Sequence, residues 1–347
     1  MSKLKGAIIG LGFISGKGQF PAYQKRDDVE IVAIADHAPG RLTAAGLAAP
    51  NARLYSDWRE LLEKEQLDFV DISTPPNVHA EITLAALAKG VHVLCEKPLA
   101  TSVAEAMSMV EGARKHERVV FPGHNYKHAP VVKFSRDVMN GGRIGKVRAV
   151  TLNTFRTTHA KGVTEWRTDW RRDKKTSGGG IAMDHGSHSF YLTFAWMQSL
   201  PTHVTAKTLT LDSQWDTEDN LNCVLTFPNG FAHCFLTWTA GVRKVVYSLQ
   251  GSDGAVVIDD DKWELTQGKG SKPVVENGII ESDWMDASHT KWHNSMFDQF
   301  KVAIAEKDFV NRELRESVAC VQIIETCYRS SAEGCRELPL TIDVTKI

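Results

Sequence analysis

The strongest constraint on the fold is an alternation of short apolar runs with helix-like segments over the first 120 residues. KGAIIG (5–10), EIVAIAD (30–36), FVDIST (69–74) and HVLCEK (92–97) have the pattern of parallel strands buried on both faces. Between them, DWRELLEKEQ (57–66), HAEITLAALAKG (79–90) and TSVAEAMSMVEGARKHE (101–117) read as helices. The last opens on Thr101 or Ser102 as N-cap, with Glu105 placed for a capping box. Such alternation implies a doubly wound parallel sheet, which binds ligands outside the carboxyl ends of its strands.

Near residue 145 the period changes to polar–apolar alternation: VRAVTLNTFR (147–156), HVTAKTLTL (203–211), NLNCVLTF (220–227), FAHCFLTW (231–238), VYSLQGS (246–252) and GAVVID (254–259). PNG (228–230) marks a hairpin, and these strands predict a second, mostly antiparallel sheet. Helical stretches at about 290–305 and 314–330 close the chain. A length of 347 residues accommodates two cores, and we place the division between residues 122 and 123, with the closing helices free to pack back on the first domain.

A formal net charge of −1 gives no electrostatic case for nucleic acid or an anionic membrane. No apolar stretch is long enough to span a bilayer. Six cysteines without a CxxC pair suit reduced thiols, and MSKLKGAIIGLG lacks the features of a signal peptide. The expectation is a cytoplasmic protein.

GLGFIS (10–15) joins the first strand to a helix. Gly10 permits the tight turn and Gly12 lets backbone approach a pyrophosphate, leaving Phe13 and Ile14 at the helix N-terminus. Ser15 stands where a third glycine is usual. Asp36, 26 residues after Gly10, ends the second strand, where a carboxylate binds ribose hydroxyls and repels a 2′-phosphate; this favours NAD over NADP, with Arg41 near enough to soften the preference. STPPNVH (73–79) occupies another strand's carboxyl end, offering Ser73, Thr74, Asn77 and His79 to a cofactor; helix capping is an equal reading for Asn77. CEKPLA (95–100) brings Glu96 and Lys97 to the same edge, where a lysine stabilises a developing alkoxide.

GGGIAMDHGSHSF (178–190) sets three glycines before Asp184, His185 and His188. A zinc set is disfavoured because adjacent helical residues point apart and neither CxxC nor HxxxH supports it, so no metal is expected. Helix capping by Asp184 and a buried structural His188 remain open at this point. On a helix, residues 184 and 188 share one face, so Asp184 can orient His188 and stabilise its protonated form, or hydrogen-bond a neighbouring substrate hydroxyl.

Taken together, GLGFIS, Asp36, STPPNVH, EKP (96–98) and GGGIAMDHGSH (178–188) resemble the glucose-fructose oxidoreductase and inositol dehydrogenase family, also called Gfo/Idh/MocA. The resemblance implies an α/β protein: an N-terminal Rossmann domain followed by a C-terminal α/β domain with a large open, mostly antiparallel sheet. It implies NAD(P)-dependent oxidation of sugars or cyclitols, and a homodimer or homotetramer formed through that sheet. By the same resemblance, Lys97 touches the substrate hydroxyl, Glu96 the nicotinamide ribose, and Asn125 both nicotinamide and substrate. Trp170 and Arg171 come near the nicotinamide or pyrophosphate, and Asp184 and His188 form the active-site pair. His185, and Arg167 beside Trp166, are departures that fit either a substrate contact or a surface loop.

Alcohol oxidation needs a proton acceptor as the hydride leaves, which suits His188, with Lys97 polarising the same oxygen. Arg156, His159, Lys161, Arg167 and Arg172, interleaved with Trp166 and Trp170, suit a polyol. His289, Trp292 and His293 fit core or interface better than pocket. The expected function is NAD-dependent hydride transfer with a sugar, cyclitol or related polyol. The alternatives are a glycosidase that oxidises its substrate transiently and eliminates the glycosidic group, and a cofactor-binding sensor without chemistry.

Overall fold

The computed structural model describes residues 3–268, 272–280 and 288–347. Six short strands form the first sheet: β1 (Leu4–Ile9), β2 (Val29–Ala35), β3 (Arg53–Tyr55), β4 (Phe69–Ile72), β5 (His92–Cys95) and β6 (Val120–Pro122). Their order is β3-β2-β1-β4-β5-β6, with every pairing parallel. Ala7, Ile8 and Ile9 are all buried, as a strand covered on both faces requires. The chain reverses its winding between β1 and β4, and this opens a crevice at their carboxyl ends.

The second sheet contains β7 (Val147–Phe155), β8 (His203–Leu209), β9 (Asn220–Phe227), β10 (Gly230–Thr237), β11 (Lys244–Gly251), β12 (Gly254–Asp259), β13 (Lys262–Gln267), β14 (Val274–Ile279) and β15 (Leu338–Pro339). They lie in the order β14-β13-β12-β11-β7-β10-β9-β8-β15. All pairs are antiparallel except β7 with β10, so the sheet is mixed at its centre. Alternate side chains, including Leu152, Leu225, Cys234 and Leu249, are buried beneath the helices Ser187–Met197 and Arg312–Ala332. The other face carries Thr151, His233, Ser248 and Val257 in one register, and Phe231 on it is 57% exposed.

The two closing helices tie these sheets together. Helix Thr290–Glu306 sets Phe297 and Phe300 5.2 and 5.9 Å from Phe69, covering the parallel sheet. Asn311 caps helix Arg312–Ala332 through the Leu314 N–H and donates to the Val120 carbonyl of β6. The helix Val103–His116 begins at Ser102, whose hydroxyl accepts from Glu105 N–H while the Glu105 carboxylate takes Thr101 N–H, the expected capping box displaced by one residue. Strands β3, β6, β13, β14 and β15 carried no clear sequence signal: three are two or three residues long, β13 buries only Leu265, and β14 is almost wholly exposed. No described helix is long and apolar enough to cross a membrane.

Candidate active site

Gly10 follows β1 with φ +92°, and a Cβ there would lie 2.8 Å from Ser73 backbone, so only glycine fits. At Gly12 a Cβ would meet nothing within 4 Å, so open space faces the turn at the start of a helix. Asp36 closes the turn from β2, accepting Leu11 N–H at 2.7 Å and Ala38 N–H at 2.8 Å. Its carboxylate keeps lone pairs for two further donors and lines the crevice. Within the same crevice, Thr74 Oγ1 and Asn125 Oδ1 are buried without a partner among the described residues. A cradle open at Gly12, a strand-end carboxylate and two orphaned polar atoms fit a dinucleotide.

The cleft continues from this edge to the second domain. Its walls include Gly10, Gly12, Phe13, Ile14, Asp36, Ser73, Thr74, Glu96, Lys97, Asn125, Trp170, Arg171, Asp184, His185 and His188, and with Lys161, Trp166 and His289 eighteen of the residues singled out from sequence meet in one space. Lys97 Nζ donates to the Asp184 carbonyl at 2.9 Å and lies 3.4 Å from its Oδ1. Arg171 Nε reaches the same Oδ1 at 3.1 Å, its guanidinium 4.3 Å from the Trp170 ring. His185 Nδ1 stands 3.2 Å from Asp184 Oδ2. Burial raises the Asp184 carboxyl, yet Lys97, Arg171 and His185 together hold it well below the usual carboxylate range.

His188 faces this cluster without bonding to Asp184. The turn Ala182–Gly186 is π-helical, which breaks the four-residue register that would stack the two side chains. His188 Nδ1 instead meets the Tyr191 hydroxyl at 2.6 Å, and its ring lies 4.1 Å from that of Tyr126. Burial, with Lys97 and His185 adding to it, pushes the imidazole well below the usual histidine value, so the ring is neutral at pH 7. The expected Asp184–His188 pair is thus corrected, and Tyr191 is the partner that periodicity did not reveal.

Other residues singled out from sequence lie off the cleft wall. Arg41 donates to the Leu11 and Gly12 carbonyls and faces Glu165 at 3.6 Å, bracing the glycine turn from behind. His79 is buried between the Pro98 and Thr74 carbonyls, at 3.0 and 2.8 Å, and straps two loops together. Asn77 is exposed and caps no helix through its side chain. Arg156 donates to the Phe155 carbonyl, and Arg167 pairs with Asp173 on the exposed rim. His289 joins the cleft, whereas Trp292 and His293 are buried in the core.

Behind the crevice runs a buried polar chain. Gln19 donates to Glu96 at 2.7 Å, Ser73 contacts Gln19 Oε1 and Asp71, and Tyr23 donates to Asp71 at 2.6 Å. Burial raises Asp71 to about 7, opposed by the Tyr23 hydrogen bond and aided by Glu96. Protonated Asp71 donates to Ser73 Oγ, which frees the Ser73 hydrogen for Gln19 and completes the donor count. Folded Asp71 therefore holds a proton that the unfolded chain, at about 3.9, has lost. This stability is complete below the unfolded value and disappears as pH rises toward 7. Asp71→Asn is expected to gain about 1–3 kcal/mol over wild type on going from pH 5 to pH 8 in urea unfolding; parallel pH curves would show Asp71 ionised throughout.

Three sets of similarities bear on this geometry. Residues 4–124 match the oxidoreductase family with an NAD-binding Rossmann fold, and residues 132–257 match the GFO/IDH/MocA C-terminal domain. D-glucoside 3-dehydrogenase of Escherichia coli (strain K12) is 30% identical over 244 residues, covering 66% of this chain and 68% of that one. Levoglucosan dehydrogenase of Pseudarthrobacter phenanthrenivorans is 32% identical over 154 residues, 41% of this chain and 37% of its own length. Among solved structures, levoglucosan dehydrogenase in complex with NADH and levoglucosan superimposes with a TM-score of 0.86 at 20% identity, over 98% of this chain and all (100%) of that one. GenD2 from gentamicin A biosynthesis, in complex with NAD, gives 0.83 at 24% identity, over 99% and 97%. At these identities the structural likeness speaks for the fold alone.

Proposed function

Because the chain belongs to the Gfo/Idh/MocA family of NAD-binding oxidoreductases, we propose that its cleft transfers a hydride between nicotinamide and a hydroxyl-bearing carbon of a sugar, cyclitol or related polyol. One observation carries this reading: Lys97, from the end of β5, meets Asp184 of the second domain within 3.4 Å, and His188 lines the same space beside the glycine turn. The names of the relatives, dehydrogenases of a glucoside and of levoglucosan, support a sugar-like substrate.

When bound, NAD supplies the hydride acceptor or donor. The protein's part is placement and proton handling. Gly10, Gly12, Phe13 and Ile14 would hold the pyrophosphate, Asp36 the adenosine ribose, and Glu96, Asn125, Trp170 and Arg171 the nicotinamide half. Lys97 directs its ammonium at the reacting oxygen and stabilises negative charge there, and neutral His188 exchanges the hydroxyl proton. Asp184, ionised and held by the Lys97 and Arg171 donors, anchors Lys97 and accepts from a neighbouring substrate hydroxyl, and His185 flanks it. Preference for NAD over NADP is supported by Asp36 and by the engagement of Arg41 with backbone carbonyls. Self-association through the outward face of the second sheet, readable as molecular mass in solution, is supported by its exposed Phe231 and Val257.

The test is a panel of sugars, sugar acids and inositols offered with NAD and NADP in parallel, read at the NADH absorbance band. We expect at least one polyol to yield NADH, with NAD preferred about tenfold or more over NADP. A flat panel from protein that binds NAD tightly would overturn the dehydrogenase reading. Glycoside cleavage without net NADH in that protein would favour the transient-oxidation route.

A further inference from the structure

We propose that Tyr191 is a positioning residue that fixes the tautomer of His188, keeping the neutral ring's hydrogen on Nε2, toward the cleft. The inference rests on the reading that His188 faces the reacting oxygen.

The argument is a count of hydrogens. Tyr191 is fully buried on helix Ser187–Met197, one turn beyond His188. Its oxygen has two polar neighbours among the described residues: His188 Nδ1 at 2.6 Å and the Tyr126 N–H at 3.3 Å. The amide can only donate, so the single phenolic hydrogen has one acceptor in reach, and that acceptor is Nδ1. The reverse arrangement, Nδ1–H onto the phenol oxygen, would leave a buried hydroxyl hydrogen without a partner, which disfavours it by about tenfold or more. Both rings are braced: His124 lies 4.2 Å from Tyr191 at an interplanar angle of 31°, and Tyr126 lies 4.1 Å from His188 at 36°. The charged and titratable groups around His188 are Lys97 from the β5 loop, Asp184 and His185 from the preceding π-helical turn, and His289 at the closing helix. His188 Nε2 has no hydrogen-bond partner among the described residues.

In this tautomer the resting ring meets a substrate carbonyl as a hydrogen-bond donor. For alcohol oxidation the ring must first exchange tautomers through solvent, its Nε2 hydrogen leaving to water in the open cleft and Nδ1 taking one hydrogen from water in return, so the neutral ring still carries one. Nδ1–H then donates to the Tyr191 oxygen, the phenolic hydrogen rotates off, and Nε2 is bare. The substrate O–H proton passes to Nε2 as its carbon gives up the hydride, leaving an imidazolium. Tyr191, able to donate or to accept, serves both forms; phenylalanine serves neither.

The test begins with the wild-type protein, its histidines labelled with nitrogen-15 and His188 assigned by loss of its signals in His188→Asn. At pH 8 we expect Nε2 protonated and Nδ1 bare; a hydrogen on Nδ1 would overturn the proposal whatever any variant does. In Tyr191→Phe, kcat is expected to fall about tenfold or more in both directions, since one transition state serves both. The acid limb of its pH profile should move up by about one unit, because the bond that favours the neutral ring is gone. NAD affinity measured on the same sample establishes that the variant is folded. Unchanged kcat and pH profile in a variant that binds NAD normally would also overturn the role of Tyr191. Normal turnover in His188→Ala would instead remove the underlying reading while leaving the tautomer measurement intact, so the two failures are distinguishable.

Discussion

Alanine at position 188 is expected to lower kcat by about 10²–10⁴-fold while the dissociation constant for NAD changes by less than about threefold. The asymmetry follows from placement. The groups we assign to the dinucleotide, at Gly10, Gly12 and Asp36, end the strands of the parallel sheet, whereas His188 opens a helix of the other domain. Its ring packs against Tyr126 and bonds Tyr191. Truncation therefore removes the proton-handling group and leaves the cradle intact. Steady-state rates with the best substrate of the panel, alongside NAD titration by tryptophan fluorescence, check both halves. Turnover near wild type would sink the acid–base assignment.

Lys97→Ala is expected to cost about 10²–10³-fold in kcat, through the loss of charge stabilisation at the reacting oxygen. It has a second consequence that His188→Ala lacks. Lys97 and Asp184 are only 15% and 12% exposed, and burial raises the carboxyl that Lys97 does most to hold down. Without the ammonium, the Asp184 carboxylate keeps the Arg171 guanidinium at 3.1 Å and the His185 ring at 3.2 Å, and its carboxyl rises toward the ordinary range. A carboxyl depressed in the folded state contributes stability above its unfolded value and loses it as pH falls through the folded one. Lys97→Ala should therefore lose both turnover and part of the stability carried by ionised Asp184 at pH 7. Thermal unfolding at pH 7 and pH 2 reads the second effect as a smaller gap between the two temperatures, because the loss begins only below the unfolded carboxyl value of about 3.9. If the variant weakens only NAD binding and keeps kcat, Lys97 is a cofactor ligand and not part of the chemistry.

Much of the site was legible because its parts are local. Gly10, Gly12 and Asp36 announce themselves by their position at strand ends, since a tight turn and a carboxylate there depend on a few neighbouring residues. The carboxyl ends of β4 and β5 placed Ser73, Thr74, Glu96 and Lys97 at the ligand edge by the same logic. Other placements were not legible in this way. Arg41, Asn77 and His79 sit close to the cofactor edge in sequence, but two of them bond to loop carbonyls and the third faces solvent. Proximity along the chain cannot tell a ligand from a brace, because a side chain's direction is set by what packs around it.

The amino-acid sequence by itself determined the two sheets, through near-continuous apolar runs in one half and alternation in the other, and it named Lys97, Asp184 and His188. Only the tertiary structure decided which of these groups touch. A π-helical turn at 182–186 sends Asp184 to Lys97 and Arg171 and leaves His188 to Tyr191. The physical reason is that one extra residue in a turn rotates every later side chain, and contacts between positions as distant as 97 and 184 exist only once the two domains are packed.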